Sequence, residues 1–367
     1  MSKTDYREFL VYIGTYTGGA SQGIYVYRMN AYAGNLKLVS ITKDVDNPSY
    51  LAIDHKNRYL FAVNELTKFQ GEPGGAVSSF AIEQKTGNLD FINQQPSRGE
   101  APCYIIVDQT DNYVLVANYM GGNVSVLPFN DSGRLGRAAD VVQHEGSSVH
   151  PKRQQTAHAH SIVLSPDNRF AFVCDLGLDK IMVYRFNQQE GKLHSHPTPW
   201  AKIKDGAGPR HFIFHPSGHY AYLINELNST VIAFSYDKSE GLLKELQTIS
   251  SLPDDFDEKN LGADIHISPS GKFLFATNRG HDSIAAFSID QNTGRLTYLY
   301  HEPTQGKIPR NFAIDPSGKF LLVANKESDN IVIFRIEPDT GELIATGDTL
   351  KIPNPACIKF IPFPAKG

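Results

Sequence analysis

A chain of 367 residues with 35 Lys and Arg against 39 Asp and Glu carries a net charge of -4. That is too mild for a protein that coats nucleic acid or lies on an anionic membrane, and no apolar run approaches the roughly 20 residues needed to span a bilayer. Cys103, Cys174 and Cys357 are an odd set at distant positions that does not suggest a disulfide framework or a metal site, and Met1 to Glu8 lacks the apolar centre of a secretory leader, so the expected setting is the cytoplasm.

One ordinary core rarely grows to this length, which directs attention to repeats. In chain order, apolar runs end on Thr15, Asn64, Asn118, Asp175, Asn225, Asn278 and Asn325, at spacings of 49, 54, 57, 50, 53 and 47. A turn phrase precedes each of the last six: Asp54-His55-Lys56-Asn57, Asp108-Gln109-Thr110-Asp111, Ser165-Pro166-Asp167-Asn168, His215-Pro216-Ser217-Gly218, Ser268-Pro269-Ser270-Gly271 and Asp315-Pro316-Ser317-Gly318. A third run follows each exit, as in Ile181 to Phe186 or Ile331 to Ile336, and then a Gly-x-Leu turn, as in Gly191-Lys192-Leu193 or Gly294-Arg295-Leu296. The runs are short, rich in Val, Ile, Phe and Tyr, and bounded by Gly, Pro, Asp and Asn, which predicts strands.

Four antiparallel strands (a, b, c, d) in about 50 residues is the pattern of a propeller blade. The first repeat, Phe9 to Leu36, lacks its strand a, and the chain ends on an orphan of that type, Asn354 to Ile361. The predicted fold is therefore all-β: a seven-bladed β-propeller, with the C-terminal strand completing the N-terminal blade and residues 1–367 forming one domain. Starts of strand a, ends of strand b and the d-to-a connections then share one face of the channel. The long connections expected there are Asp140 to Ala157, His196 to Ala207 and Ser250 to Leu261. Long loops on a rigid scaffold are where sites form.

Aligning the repeats separates constant from variable positions. The Asn at the end of strand b recurs and is expected to tie backbone at the channel mouth. The residue after it varies (Glu65, Tyr119, Leu176, Glu226, Arg279, Lys326), as does the residue five before each turn (Ser49, Cys103, His160, Arg210, Ala263, Arg310). The next column holds Tyr50, Tyr104, Ser161, His211, Asp264 and Asn311, and alternation places His266 on the side of Asp264. His160, Arg210, His211, Glu226, Asp264, His266, Arg279, Arg310 and Lys326 are thus expected at one mouth. Any one of them could be a buried hydrogen bond or a rim charge, and Asp264 with His266 reads as a structural pair; as a set they are costly unless they pair or await a ligand.

The surplus of Arg, Lys and His predicts a small anionic ligand, since Arg grips phosphate or carboxylate bidentately. His160 and Glu226 are the candidates for proton transfer, and Arg210 or Arg279 for an oxyanion. The imidazoles of His158-Ala159-His160 are expected to face opposite sides, which disfavours a metal. No Gly-rich phosphate loop, Gly-x-Ser-x-Gly elbow or Cys-x-x-Cys occurs.

The assembled segments resemble the seven-bladed propeller lactonases, which include 6-phosphogluconolactonases of the cycloisomerase-2 type and the carboxymuconate cyclases. The likeness rests on Arg153-Gln154-Gln155-Thr156-Ala157-His158-Ala159-His160-Ser161, Asp175-Leu176-Gly177-Leu178-Asp179, Gly206-Ala207-Gly208-Pro209-Arg210-His211, Asn225-Glu226-Leu227, Ala263-Asp264-Ile265-His266, Thr277-Asn278-Arg279-Gly280-His281-Asp282 and Pro309-Arg310-Asn311-Phe312, within a pattern running from about Tyr12 to Phe360. It implies cofactor-free hydrolysis of 6-phospho-D-glucono-1,5-lactone to 6-phosphogluconate, a step of the pentose phosphate pathway, in a monomer or weak homo-oligomer. The His, two Arg and Glu proposed to act in the cyclase branch match His160, Arg210, Arg279 and Glu226. Arg153, His158, Asp175, His211, Asp264, His266, Arg310 and Lys326 are then expected to bind substrate. Two alternatives stay open: lactonisation or ring opening of a carboxylated muconate-like diacid, and a binding scaffold without chemistry.

Overall fold

The computed structural model describes residues 6–363, so most of the stretch read as lacking a leader, residues 1–5, lies outside the described residues. It contains seven four-stranded antiparallel sheets arranged as the blades of a propeller. No helix occurs among the described residues, and so none is long and apolar enough to cross a membrane.

Blade 5 shows the repeat: a Pro209–Phe214, b Tyr220–Asn225, c Thr230–Asp237 and d Leu242–Ser250. Strand a is innermost in every blade, and neighbouring a strands contact one another around the channel. Strand b is buried on both faces, which is why its run is apolar throughout, whereas strand d alternates at the rim. The core is a series of apolar layers between blades. In one layer Phe172, Cys174 and Val183 of blade 4 meet Phe212, Leu223 and Phe234 of blade 5.

The ring closes as the repeat count predicts. Pro355–Phe363 pairs antiparallel with Glu8–Thr15, from Glu8 opposite Phe363 to Thr15 opposite Pro355. Blade 1 therefore takes its innermost strand from the C-terminal end and its other three from the N-terminal end.

Two boundaries differ from expectation. Asp140–Gln143 and Lys192–Lys202 are d strands, so the connections begin later, at 144 and 203. Their polar, half-exposed faces carry little apolar signal. A short hairpin, Lys68–Phe69 with Glu72–Pro73, is inserted between strands b and c of blade 2, on the face that carries the ends of strand b. The recurrent Asn residues do tie backbone there: Asn64, Asn118, Asn278 and Asn325 donate to the carbonyls of Asp46, Ser97, Ser251 and Thr304. Asn225 instead donates to Thr230 Oγ1.

Candidate functional site

A bulge at the start of strand a supplies the site's side chains. Pro209 pairs with Asn225 and His211 with Ile224, so Arg210 is an extra residue facing none. The same slip leaves Cys103, His160 and Arg310 unpaired in blades 3, 4 and 7, and in blade 6 it falls between Gly262 and Ile265, at Ala263 and Asp264. A bulge re-aims adjacent residues that a regular strand would send to opposite faces. Arg210 and His211 can thus both take part, and Arg210 Nη1 lies 3.4 Å from His211 Nε2.

Glu226 is the hub. It follows strand b of blade 5 and accepts from Arg210 Nε at 3.0 Å, Arg279 Nη2 at 2.7 Å and Arg153 Nη2 at 2.5 Å. Its side chain is 3% exposed. Burial opposes its ionisation, but Arg279, Arg210 and Arg153 outweigh burial and hold its carboxyl well below the ordinary carboxylate range. Arg210 also donates to the Ala263 carbonyl. Burial, with Arg279 and Arg310 nearby, pushes its pKa down to about 10, which leaves it charged at neutral pH. Arg279 also donates to the Gly262 carbonyl at 2.9 Å, and its buried Nε has no partner. Three guanidinium groups around one carboxylate leave a local surplus of positive charge.

His160 sits beside this cluster, its Nε2 3.9 Å from Glu226 Oε2. No closer polar partner reaches either ring nitrogen among the described residues, since Cys103 Sγ is also 3.9 Å from Nδ1. Burial, Arg210 and His211 push its pKa well below that of a free imidazole. The result is a neutral ring with an uncommitted lone pair against a cationic cluster.

His211 is held differently. Its Nδ1–H donates to Asp264 Oδ1 at 2.7 Å, and burial with Arg210 pushes its pKa down to about 3. Asp264 Oδ2 accepts from His266 Nε2 at 3.0 Å and from the Asn311 amide. Burial opposes the ionisation of Asp264, but these histidines keep its carboxyl well below its usual range. Tyr50 and Tyr104 stack at 4.3 Å between ring centres, and Tyr104 meets His211 edge-on at 5.1 Å. A small cavity is lined by Ser49, Tyr50, Cys103, Arg210, His211, Arg310, Asn311 and Ala356. A larger groove of about 470 Å³ is lined by Gln95, Pro96, Arg98 and residues 137–141, with Arg98, Arg137 and Asp140 as its titratable side chains.

Of the residues singled out in the sequence, the structure gathers His160, Arg153, Arg210, Glu226 and Arg279 into one cluster and His211, Asp264 and His266 into an adjoining one. Arg310 and Lys326 lie over the Tyr16 ring, 5.4 and 5.2 Å from its centre. Asp175 is not free for substrate: fully buried, it accepts from His144 Nδ1 at 2.6 Å and from the backbone N–H groups of His158 and Gly177. His158 and His160 do not diverge as expected. Residues i and i+2 share a face in an extended strand, and both rings pack on Tyr119, at 4.6 and 5.4 Å. His158 Nδ1–H is spent on the Tyr119 carbonyl. Among the described residues no group of three or more His, Cys, Asp or Glu side chains is arranged to hold a metal ion.

Sequence reasoning missed Tyr16, Tyr119 and Glu65 as site residues. Tyr119 accepts from Arg153 at 3.0 Å, and Glu65 Oε2 accepts from Tyr16 at 2.8 Å and from Ser49 at 2.5 Å. Tyr119 and Glu65 occupy the same column as Glu226, which was the available signal; Tyr16 occupies it in blade 1, whose alignment was truncated.

A family model described as "Lactonase, 7-bladed beta-propeller" matches residues 10–360. The chain is 35% identical to a 6-phosphogluconolactonase of Bacillus subtilis over 96% of its own length and 99% of the relative's. It is 39% identical to a 6-phosphogluconolactonase of Formosa agariphila, over 83% of this chain and 86% of that one. The solved structure of the Pseudomonas aeruginosa periplasmic gluconolactonase superposes with a TM-score of 0.92 at 35% identity, covering 97% of this chain and all of the other.

Proposed function

The chain belongs to the seven-bladed β-propeller lactonase family, and from that membership we propose that it hydrolyses 6-phospho-D-glucono-1,5-lactone to 6-phosphogluconate. The observation that carries the site assignment is the neutral, uncommitted imidazole of His160 beside three arginines that share one carboxylate. His160 takes a proton from water as the water oxygen bonds to C1 of the lactone. The carbonyl electrons move to oxygen, and Arg279, 10% exposed, neutralises the oxyanion. When the tetrahedral centre collapses, the bond from C1 to the ring oxygen breaks and His160 returns its proton to that oxygen. The acid released then ionises to 6-phosphogluconate.

Glu226 is a poor base in this scheme, because its negative charge is what three cations stabilise. Its part is to fix their geometry, with Arg210, 2% exposed, as a strut. The proposed setting is the cytoplasm, which three unpaired cysteines support.

The test is the rate of lactone hydrolysis above the spontaneous background. The purified protein exceeds background, and His160→Gln and Arg279→Gln each lose roughly 100-fold or more in kcat, the usual scale for a proton-transfer group or an oxyanion donor. An unchanged rate in both variants would remove the assignment. A second reading, hydrolysis of the unphosphorylated lactone, is favoured by the likeness to the gluconolactonase. It predicts no preference for the phosphorylated substrate.

A further inference from the structure

Not every cation at the mouth is neutralised. Arg153, Arg210 and Arg279 all bear on Glu226. Arg310 and Lys326 make no side-chain ion pair or hydrogen bond among the described residues; both instead lie over Tyr16. Glu65, whose charge reaches Arg310, accepts at Oε2 from the hydroxyls of Tyr16 and Ser49.

The repeat makes this pairing legible. In blade 5 the bulge residue of strand a is Arg210 and the residue after strand b is Glu226, and the two form an ion pair. Blade 7 (a Pro309–Ile314, b Phe320–Asn325) has Arg310 at the first position and Lys326 at the second. The fold brings these positions to the mouth, so blade 7 carries a cation at both, each over the Tyr16 ring, where blade 5 sets a cation against an anion. Two cations at the mouth with no ion-pair partner attract a dianion. Arg310 also lines the small cavity shared with Arg210 and His211, so its guanidinium adjoins the candidate catalytic cluster.

We propose that Arg310 and Lys326, with Tyr16 as wall, form the subsite for the 6-phosphate, and that the lactone ring extends from there towards His160 and Arg279. Arg offers a planar fork to two phosphate oxygens and Lys a mobile point charge. The assignment rests on the lactonase reading and deepens it, since it makes the enzyme select the phosphorylated lactone.

Two measurements separate the subsite from that reading. The first is kcat/KM on 6-phosphoglucono-1,5-lactone and on glucono-1,5-lactone for the natural protein, Lys326→Gln, Arg310→Gln and the double variant. The second is calorimetric binding of 6-phosphogluconate and of gluconate to the same proteins. Each single variant is expected to lose roughly 10- to 100-fold on the phosphorylated lactone, mostly in KM, at about 1.4 kcal/mol per tenfold. The loss on the unphosphorylated lactone is at least tenfold smaller, and Lys326→Arg restores most of the selectivity. The tighter binding of 6-phosphogluconate over gluconate disappears in the double variant. Equal losses on both lactones, or no binding preference in the natural protein, would overturn the subsite. A protein inactive on both lactones that still prefers 6-phosphogluconate through Lys326 would overturn the lactonase reading and leave the subsite standing. Lys326 is partly exposed at the end of a strand, so its variants fold even if those of Arg310 do not.

Discussion

His160 and Glu226 entered as equal candidates for the base, because residue type alone allows both. What separates them is packing. Three guanidinium groups within 3.0 Å of Glu226 fix it as an anion, whereas burial, Arg210 and His211 together outweigh Glu226 and hold His160 towards its neutral form. The sign of the pH dependence follows. A folded pKa below the free value of 6.5 means that the neutral base survives as pH falls through 6.5 and is lost only further down. The acid limb of kcat/KM is therefore expected below pH 6.5. Glucono-1,5-lactone is the substrate for this profile, because it carries no phosphate that titrates near pH 6. A limb centred at 6.5 or above would show that His160 is not the group being protonated. The sequence showed which columns vary, but not the bulge. Strict alternation would have parted Arg210 from His211, and only the slip opposite Asn225 and Ile224 lets both reach the mouth.

At the level of elements, apolar runs and Gly-x-Leu turns located the strands, because each is an interior feature with a strong composition. Polar edges were harder: Asp140–Gln143 and the end of Lys192–Lys202 read as loop because little of them is buried. The turns also do more than end strands. Gly294, between strands c and d of blade 6, has φ +69, and a Cβ there would stand 2.3 Å from the ring of Tyr220 in blade 5. Gly218, in the a–b turn of blade 5, has φ +70 and open space where its Cβ would be. Both therefore need the left-handed conformation, and only Gly294 is also a blade contact. Gly218→Ala is expected to cost about 1–2 kcal/mol of backbone strain. Gly294→Ala adds about 1–3 kcal/mol for displacing the ring. Chemical unfolding of the two variants side by side checks the difference; equal losses would mean that the Tyr220 contact yields freely.

Seven layers between blades hold the whole molecule only if the ring is shut. The orphan strand predicted at the C-terminal end is the piece that shuts it, and its sequence had revealed this because blade 1 lacked the same element. Within Pro355–Phe363, Cys357, Ile358, Ile361 and Phe363 are each 4% exposed or less. They pack with Leu10 and Tyr12 on one side and Val11 and Ile13 on the other. At about 1.5–3 kcal/mol for each buried apolar side chain, these four contribute roughly 6–12 kcal/mol. That is comparable to the roughly 5–15 kcal/mol by which a folded protein is stable at all. Removing the strand would also leave Glu8–Thr15 as a bare, apolar sheet edge. A chain ending at Asn354 is therefore expected to lose its single cooperative unfolding transition and to aggregate. A peptide of residues 355–363 supplied in trans should recover part of the transition in proportion to its concentration. Calorimetry of the shortened chain with and without the peptide reads both effects. An undiminished transition in the shortened chain would show that neighbouring blades suffice, and that closure is not what stabilises the ring.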